Sequence, residues 1–583
     1  MGVILQAAYR QTANKSVPAP VDGDTPNAAW WYDHIGSQAH AFRLAGFTAV
    51  LLNPVLKTNA GDSAGADGYA PFDDYDLGAK SQCHSIQTRF GTREQLQRCV
   101  AIMRANGLDV YVDTVPHHRM GGHDGTYRYL GADRKTLNGR FPKHPGCFVG
   151  KPPRVPRDPI AGPVSTDFPF GDELAPVNAV PKGYVMQGLI DAGDWITRAL
   201  DVQGYRIDDV KGLAVQFVRT WLNCKSMANK FAVGEYYDGN PRTLNWWVWE
   251  SGMAGRCCAF DFPLHFTLQA MCNNTSRWDM RQLDHAGLAG ISPLQTVTFV
   301  ENPDTDTDGF ATVVWNKMLG YAYILTSEGY PCVYYKDYST DRGCYGLKPL
   351  IDNLIWIHEN LAFGTTLQRW KDLQTYVFER LGHPNLLVGM NNDMYNGWRT
   401  VTVQTAFGPH VELHDYTGRG ADRLTDTNGM VTISIPPNDN GLGYVCYSRT
   451  GYGRSFEAKP CAVRQVFEGA PDLDTSPAIN GQTVNVGRVW CAAGIDIEVE
   501  FATETTGWTA STTIRLELFD PTGKMILTAT LQGPAPGLAA KRAAVEQSGW
   551  VTARLTATGL PNRGNASYVL AMTYTSTQTL IAP

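Results

Sequence analysis

No stretch of this chain approaches the roughly 18 uninterrupted apolar residues of a membrane-spanning helix, so no segment reads as a membrane anchor. Positive charge is not in excess: 50 Lys and Arg stand against 56 Asp and Glu, a net charge of −6, which argues against nucleic acid as a partner. Charged residues make up only 18% and hydrophobic ones 43%, the balance of a folded protein and not of a disordered one. Cysteine is sparse, 12 in 583 residues, and none of the spacings is that of a metal site. Cys257 and Cys258 are adjacent and do not readily bond each other. The thiols read as buried and free, a few disulfides being the alternative in a secreted protein. The amino terminus, Met1 to Ala7, lacks a basic region and a cleavage-like site. It reads as a first strand, of a cytosolic protein or of a mature secreted one given a new Met.

What is abundant is aromatic: 15 Trp, 26 Tyr and 22 Phe, a generous supply for stacking on sugar rings, although most such residues serve a core. The informative pattern is an apolar strand that ends in an acid, and it occurs four times. Gly204-Tyr205-Arg206-Ile207-Asp208-Asp209-Val210-Lys211 is the richest case. On a strand, residues two apart share a face, so Arg206 and Asp208 project together. A guanidinium beside a carboxylate favours the ionised form, as a nucleophile requires. Val110-Tyr111-Val112-Asp113 runs into His117-His118, Phe231-Ala232-Val233-Gly234 into Glu235, and Thr298-Phe299-Val300 into Glu301-Asn302-Pro303-Asp304. A parallel barrel gathers its strand ends at one face, where acids from separate strands can meet.

These four stretches resemble, in order, the four signature regions of the α-amylase family of glycoside hydrolases. Gly68-Tyr69-Ala70-Pro71-Phe72-Asp73-Asp74-Tyr75-Asp76-Leu77, Phe90-Gly91-Thr92-Arg93-Glu94-Gln95-Leu96, Phe260-Asp261-Phe262-Pro263-Leu264 and Glu328-Gly329-Tyr330-Pro331 extend the likeness, which covers roughly residues 3–450. Residues 321–338 are closer to α-amylases than to branching enzymes or oligo-1,6-glucosidases. The resemblance implies a retaining, endo-acting hydrolase of α-1,4-glucosidic bonds in starch-like glucans. Asp208 would be the nucleophile, Glu235 the general acid/base and Asp304 the third acid, gripping sugar hydroxyls. Glu235 must then hold a proton near neutral pH, which carboxylate neighbours favour. By the same likeness Tyr69 stacks under the sugar at the point of cleavage and His118 bonds its primary hydroxyl. Lys211 contacts the next sugar, with Tyr236 packing nearby, while Arg206 belongs to the binding set. Asp113 and Asn302 support the others. Trp246, Trp247 and Trp249 line a groove or fill the core.

The chain also departs from the family pattern. Pro303 stands where the family has a histidine that bonds the sugar. Losing that bond costs roughly 1.5–3 kcal/mol, about one to two orders of magnitude in rate. Pro303→His is thus expected to raise turnover. The calcium the resemblance implies as a structural ion meets His117 in place of Asn and Gly212 in place of His. Imidazole is a poor ligand for a hard cation, and Asp172 is the remaining carboxylate candidate. No organic cofactor is implied. The partner is an α-glucan polysaccharide or oligosaccharide, with no nucleic acid, no membrane and a monomeric state. The alternatives are an α-glucan transglycosylase, or a glucan-binding protein whose catalysis Pro303 has weakened.

Strand candidates alternate with amphipathic helices through about the first 360 residues, the rhythm of a (β/α)8 TIM barrel. About 90 residues separate Asp113 from Tyr205, far more than one crossover needs. Residues 1–362 read as the catalytic barrel, with 119–183 as a small inserted domain after strand 3. Residues 363–450 read as a C-terminal antiparallel β domain. Residues 450–460 read as a linker and 461–583 as an additional β-sandwich, carbohydrate binding being its role by analogy alone.

Overall fold

The computed structural model describes residues 2–7, 12, 30–131, 135–160, 171–307, 309–341, 343–469, 483–503, 508–533, 537–560 and 567–575. Ten short strands come first in the chain: β1 (Ile4–Gln6), β2 (Ala49–Pro54), β3 (Asp109–Thr114), β4 (His118–Arg119), β5 (Asp172–Glu173), β6 (Gly204–Ile207), β7 (Phe231–Gly234), β8 (Cys258–Phe260), β9 (Thr296–Phe299) and β10 (Tyr330–Tyr334). All but β4 and β5 close a barrel in the order β1-β10-β9-β8-β7-β6-β3-β2. β1, β2, β6 and β9 are buried at every residue, as strands covered on both faces must be. This is the (β/α)8 barrel that the strand rhythm implies.

The chain divides into two compact units. One comprises Met1–Arg10, Phe42–Leu51 and Ala232–Glu457. It holds β1, β8, β9 and β10 and, after the helix Lys348–Leu361, the antiparallel C-terminal domain. There a six-stranded sheet faces the antiparallel pair Arg399–Gln404 and Met430–Ile435. Val377, Leu387, Val401, Val403, Ile433 and Val445 form their common core. The alternating burial of Arg399–Gln404 shows the period of two that makes a strand with one wet face.

The other unit comprises Gln11–Ala41, Leu52–Phe231 and Ala458–Pro583. Its helix Arg93–Ala105 starts at a reciprocal cap: Thr92 accepts from the Gln95 amide while the Gln95 side chain accepts from the Thr92 amide. β4 and β5 pair antiparallel, His118 opposite Glu173 and Arg119 opposite Asp172. The chain's last strands form two four-stranded antiparallel sheets. This sandwich packs on the helices Arg93–Ala105 and Tyr184–Leu200. Fully buried Gln465 donates from Nε2 to the Gln97 carbonyl at 2.9 Å. Arg98 lies over the Trp490 and Trp550 rings at 5.0 and 5.4 Å, and Glu468 meets Arg140 and Arg198, each at 3.3 Å.

The stretch read as a linker is tied down over its middle. The Arg454 amide donates to Asn360 and the Glu457 carbonyl accepts from Arg43. Its polar composition hid these bonds, because the partners lie some 94 and 414 residues away in sequence. All 12 cysteines are free thiols.

Candidate active site

Asp113 and Arg206 are register partners on the adjacent parallel strands β3 and β6, so their side chains leave the same face side by side. Arg206 Nη1 donates to both Asp113 oxygens at 2.8 Å and to Asp208 Oδ1 at 2.7 Å. One guanidinium nitrogen thus holds two carboxylates, all three side chains being nearly buried. Tyr69 donates its hydroxyl to Asp113 Oδ2 at 2.8 Å, and its ring lies 5.4 Å from the guanidinium carbon of Arg206. His118 donates from Nε2 to the Tyr69 carbonyl at 2.7 Å, which fixes the aromatic loop against β4. Asp208 follows directly on the last residue of β6, and its amide donates to the Thr114 carbonyl.

Burial pushes the Asp208 carboxyl up to about 7; Arg206 pulls it down, and the charge of Asp113 adds to the rise. The rule that an arginine neighbour holds an acid low is therefore offset here. The guanidinium is shared, and water is largely excluded. Lys211 lies in the one-turn helix Val210–Gly212 that follows β6, and Asp209 at its start has a left-handed backbone, φ 41°.

In the other unit, Glu235 follows directly on β7 and is 9% exposed. Tyr236 beside it is buried, its ring 5.7 Å from that of Trp247. The three tryptophans divide: Trp247 is core and Trp246 half-buried, whereas Trp249 is 45% exposed and donates Nε1 to Ser292 Oγ at 2.8 Å. Beyond β9, Asn302 Oδ1 accepts from the Asp304 and Thr305 amides at 2.9 and 2.8 Å. This is a helix-like cap, and it puts Pro303 at the first position of the turn, where no amide hydrogen is needed and the ring's fixed φ suits. The buried Pro303 thus serves the turn that presents half-buried Asp304.

That turn stands on a buried ionic cluster the sequence did not reveal. Glu301 accepts from Thr305 Oγ1 at 2.7 Å, the Val313 amide at 2.9 Å and Lys317 Nζ at 3.0 Å. Lys317 Nζ is also 2.7 Å from Asp337, which accepts the Tyr321 hydroxyl at 2.6 Å. Burial raises Glu301 to about 7 and also raises Asp337, in each case against the charge of Lys317. The available signal was an acid at 301 in an otherwise apolar strand end.

The donor set expected for calcium does not fit that ion. His117 is buried, which pushes its imidazole down to about 3, so it is neutral at ordinary pH. Asp172, the metal candidate, instead accepts the Tyr127 hydroxyl at 2.9 Å and lies 3.2 Å from Lys151 Nζ. Among the described residues no three His, Cys, Asp or Glu gather as a metal group.

The family model of the α-amylase C-terminal domain matches residues 386–448. The glucan 1,4-α-maltohexaosidase of Bacillus sp. strain 707 is 28% identical over 396 residues, spanning 58% of this chain and 74% of that one. The α-amylase of Geobacillus stearothermophilus is 28% identical over 404 residues, 60% of this chain and 72% of its own. Among solved structures, a γ-CGTase from alkalophilic Bacillus clarkii superposes with a TM-score of 0.55 at 16% identity, covering 97% of this chain and 95% of its own.

Proposed function

The chain belongs to the α-amylase family of glycoside hydrolases, and from that premise we propose that it cuts internal α-1,4 bonds of starch-like glucans with retention of configuration. Asp208 attacks the anomeric carbon. The glycosidic bond breaks with its electron pair going to the leaving oxygen, which takes a proton from Glu235. Glu235 then deprotonates a water, whose oxygen displaces Asp208 from the same carbon. Asp304 holds sugar hydroxyls from its capped turn, and Tyr69 offers the ring on which the sugar rests. Lys211 and His118 complete the binding set, His118 by fixing the Tyr69 loop. Residues 119–183 and 363–450 serve as the inserted and C-terminal domains of this enzyme.

The observation that carries the reading is the Asp113–Arg206–Asp208 cluster. A strand-end carboxylate is fixed in position by a guanidinium that is itself clamped, which is the preorganisation a nucleophile needs.

Incubation with soluble amylose, with Glu235→Gln as control, tests it. New reducing ends that vanish in the control, with products of many lengths, are expected. Redistributed chain lengths without new reducing ends would make the protein a transferase. No change on amylose would refute the substrate assignment.

A further inference from the structure

The two departures at His117 and Gly212 are one steric exchange. A Cβ added to Gly212 would stand 2.9 Å from His117 Cδ2 and Nε2 and 2.5 Å from Asp209 Oδ2. The imidazole of His117 fills the space a side chain at 212 would enter. Its Nδ1 lies 3.3 Å from Nδ1 of His118 and its Nε2 3.9 Å from Asp209.

The same junction, where the inserted segment joins the end of β3, gives its carboxylates to protein cations. Asp172 pairs with Lys151, and the Tyr127 hydroxyl bridges from Asp172 to the Arg119 carbonyl at 3.0 Å. Glu173 takes a two-pronged contact from Arg157 at 2.8 and 2.7 Å. Asp74, fully buried, is held by both Arg119 and Lys143. The His117 carbonyl is spent on the Leu174 amide at 2.8 Å. A divalent ion here would need six to eight oxygens, roughly, and would sit beside an ammonium group that repels it.

We propose that the junction is braced without a metal, the Lys151 ammonium on Asp172 and the His117 ring against Gly212 standing where a calcium ion would otherwise tie the inserted segment to the barrel strand. The brace is structural and requires no catalytic role of any residue in it.

Thermal unfolding of the full chain decides the matter, with metal content measured by mass spectrometry on the purified protein. Less than stoichiometric calcium is expected, together with a Tm that agrees within about 1 °C in millimolar EDTA and in millimolar CaCl2. Bound calcium near one per chain would overturn the proposal, as would a Tm that falls by several degrees in EDTA and recovers in CaCl2. Lys151→Gln is expected to lower Tm in EDTA. An unchanged Tm in this variant would remove Lys151 from the brace and contradict the proposal. A fall in EDTA that CaCl2 reverses would support it, since the ion would then occupy the place the ammonium left.

Discussion

At the scale of single residues, burial, opposed by the shared Arg206 guanidinium, sets the pH at which Asp208 can act as the proposed nucleophile. A nucleophile must be ionised, and the ionised fraction falls as pH drops below the folded-state pKa. With Asp208 lifted to about 7, the acid limb of kcat/KM is expected well above the ordinary carboxylate range. Asp113→Asn removes a like charge and leaves Arg206 wholly to Asp208; both effects lower that pKa. The acid limb should move to lower pH while kcat falls, because the Tyr69 and Arg206 anchors weaken. A pH–rate profile that does not move would refute this coupling. Pro303 illustrates what the sequence could and could not convey. Its motif position is plain, and from it comes the expectation that histidine would raise turnover. Its place as first residue of an Asn302-capped turn depends on backbone geometry that no composition records. Pro303→His therefore should lower stability, by about 0.4–1 kcal/mol from lost chain restriction, and fail to raise turnover on amylose. A clear gain in turnover would show that the sequence-level expectation was right.

At the scale of elements, the loop from Glu301 to Lys317 rests on two acids and one base. Lys317→Met leaves two uncompensated buried carboxylates and should cost about 3–5 kcal/mol in denaturant unfolding. Glu301→Gln leaves one acid to one base and should be far milder. The sign of its pH effect follows from burial. Unfolded Glu301 loses its proton near the usual value, whereas the folded chain keeps it up to about 7. Between those values the native state binds more protons, so stability falls as pH rises and levels off above about 7. Glu301→Gln should flatten that decline, and an undiminished slope in the variant would exclude Glu301 as its source. This cluster escaped the sequence because its members stand 16 and 20 positions apart, on a loop and two helices. Strands with one wet face, such as Arg399–Gln404 and Ile495–Thr503, were legible from their alternation. Thr375–Arg380 and Leu386–Asn391 were not, since they are buried at every residue and show no period of two.

At the scale of the whole molecule, the barrel was legible because each strand-end acid marks a strand and the intervening helices are amphipathic. The role of the last 120 or so residues was not, since a sandwich looks alike whether it swings on a tether or is packed in place. Here Gln465, Glu468, Trp490 and Trp550 pack on two helices of their own unit. Removing residues 461–583 should therefore expose those helix faces and lower Tm or solubility, beyond any loss of glucan affinity. A truncated chain with full thermal stability would contradict that view. The proposed hydrolysis passes through a covalent intermediate at Asp208. Its most direct test is to react the Glu235→Gln variant with an activated α-maltosyl fluoride and map the labelled peptide. A maltosyl adduct on Asp208, absent from Asp208→Asn, is the result expected; a reaction that proceeds with no adduct, or with one on another residue, would contradict it.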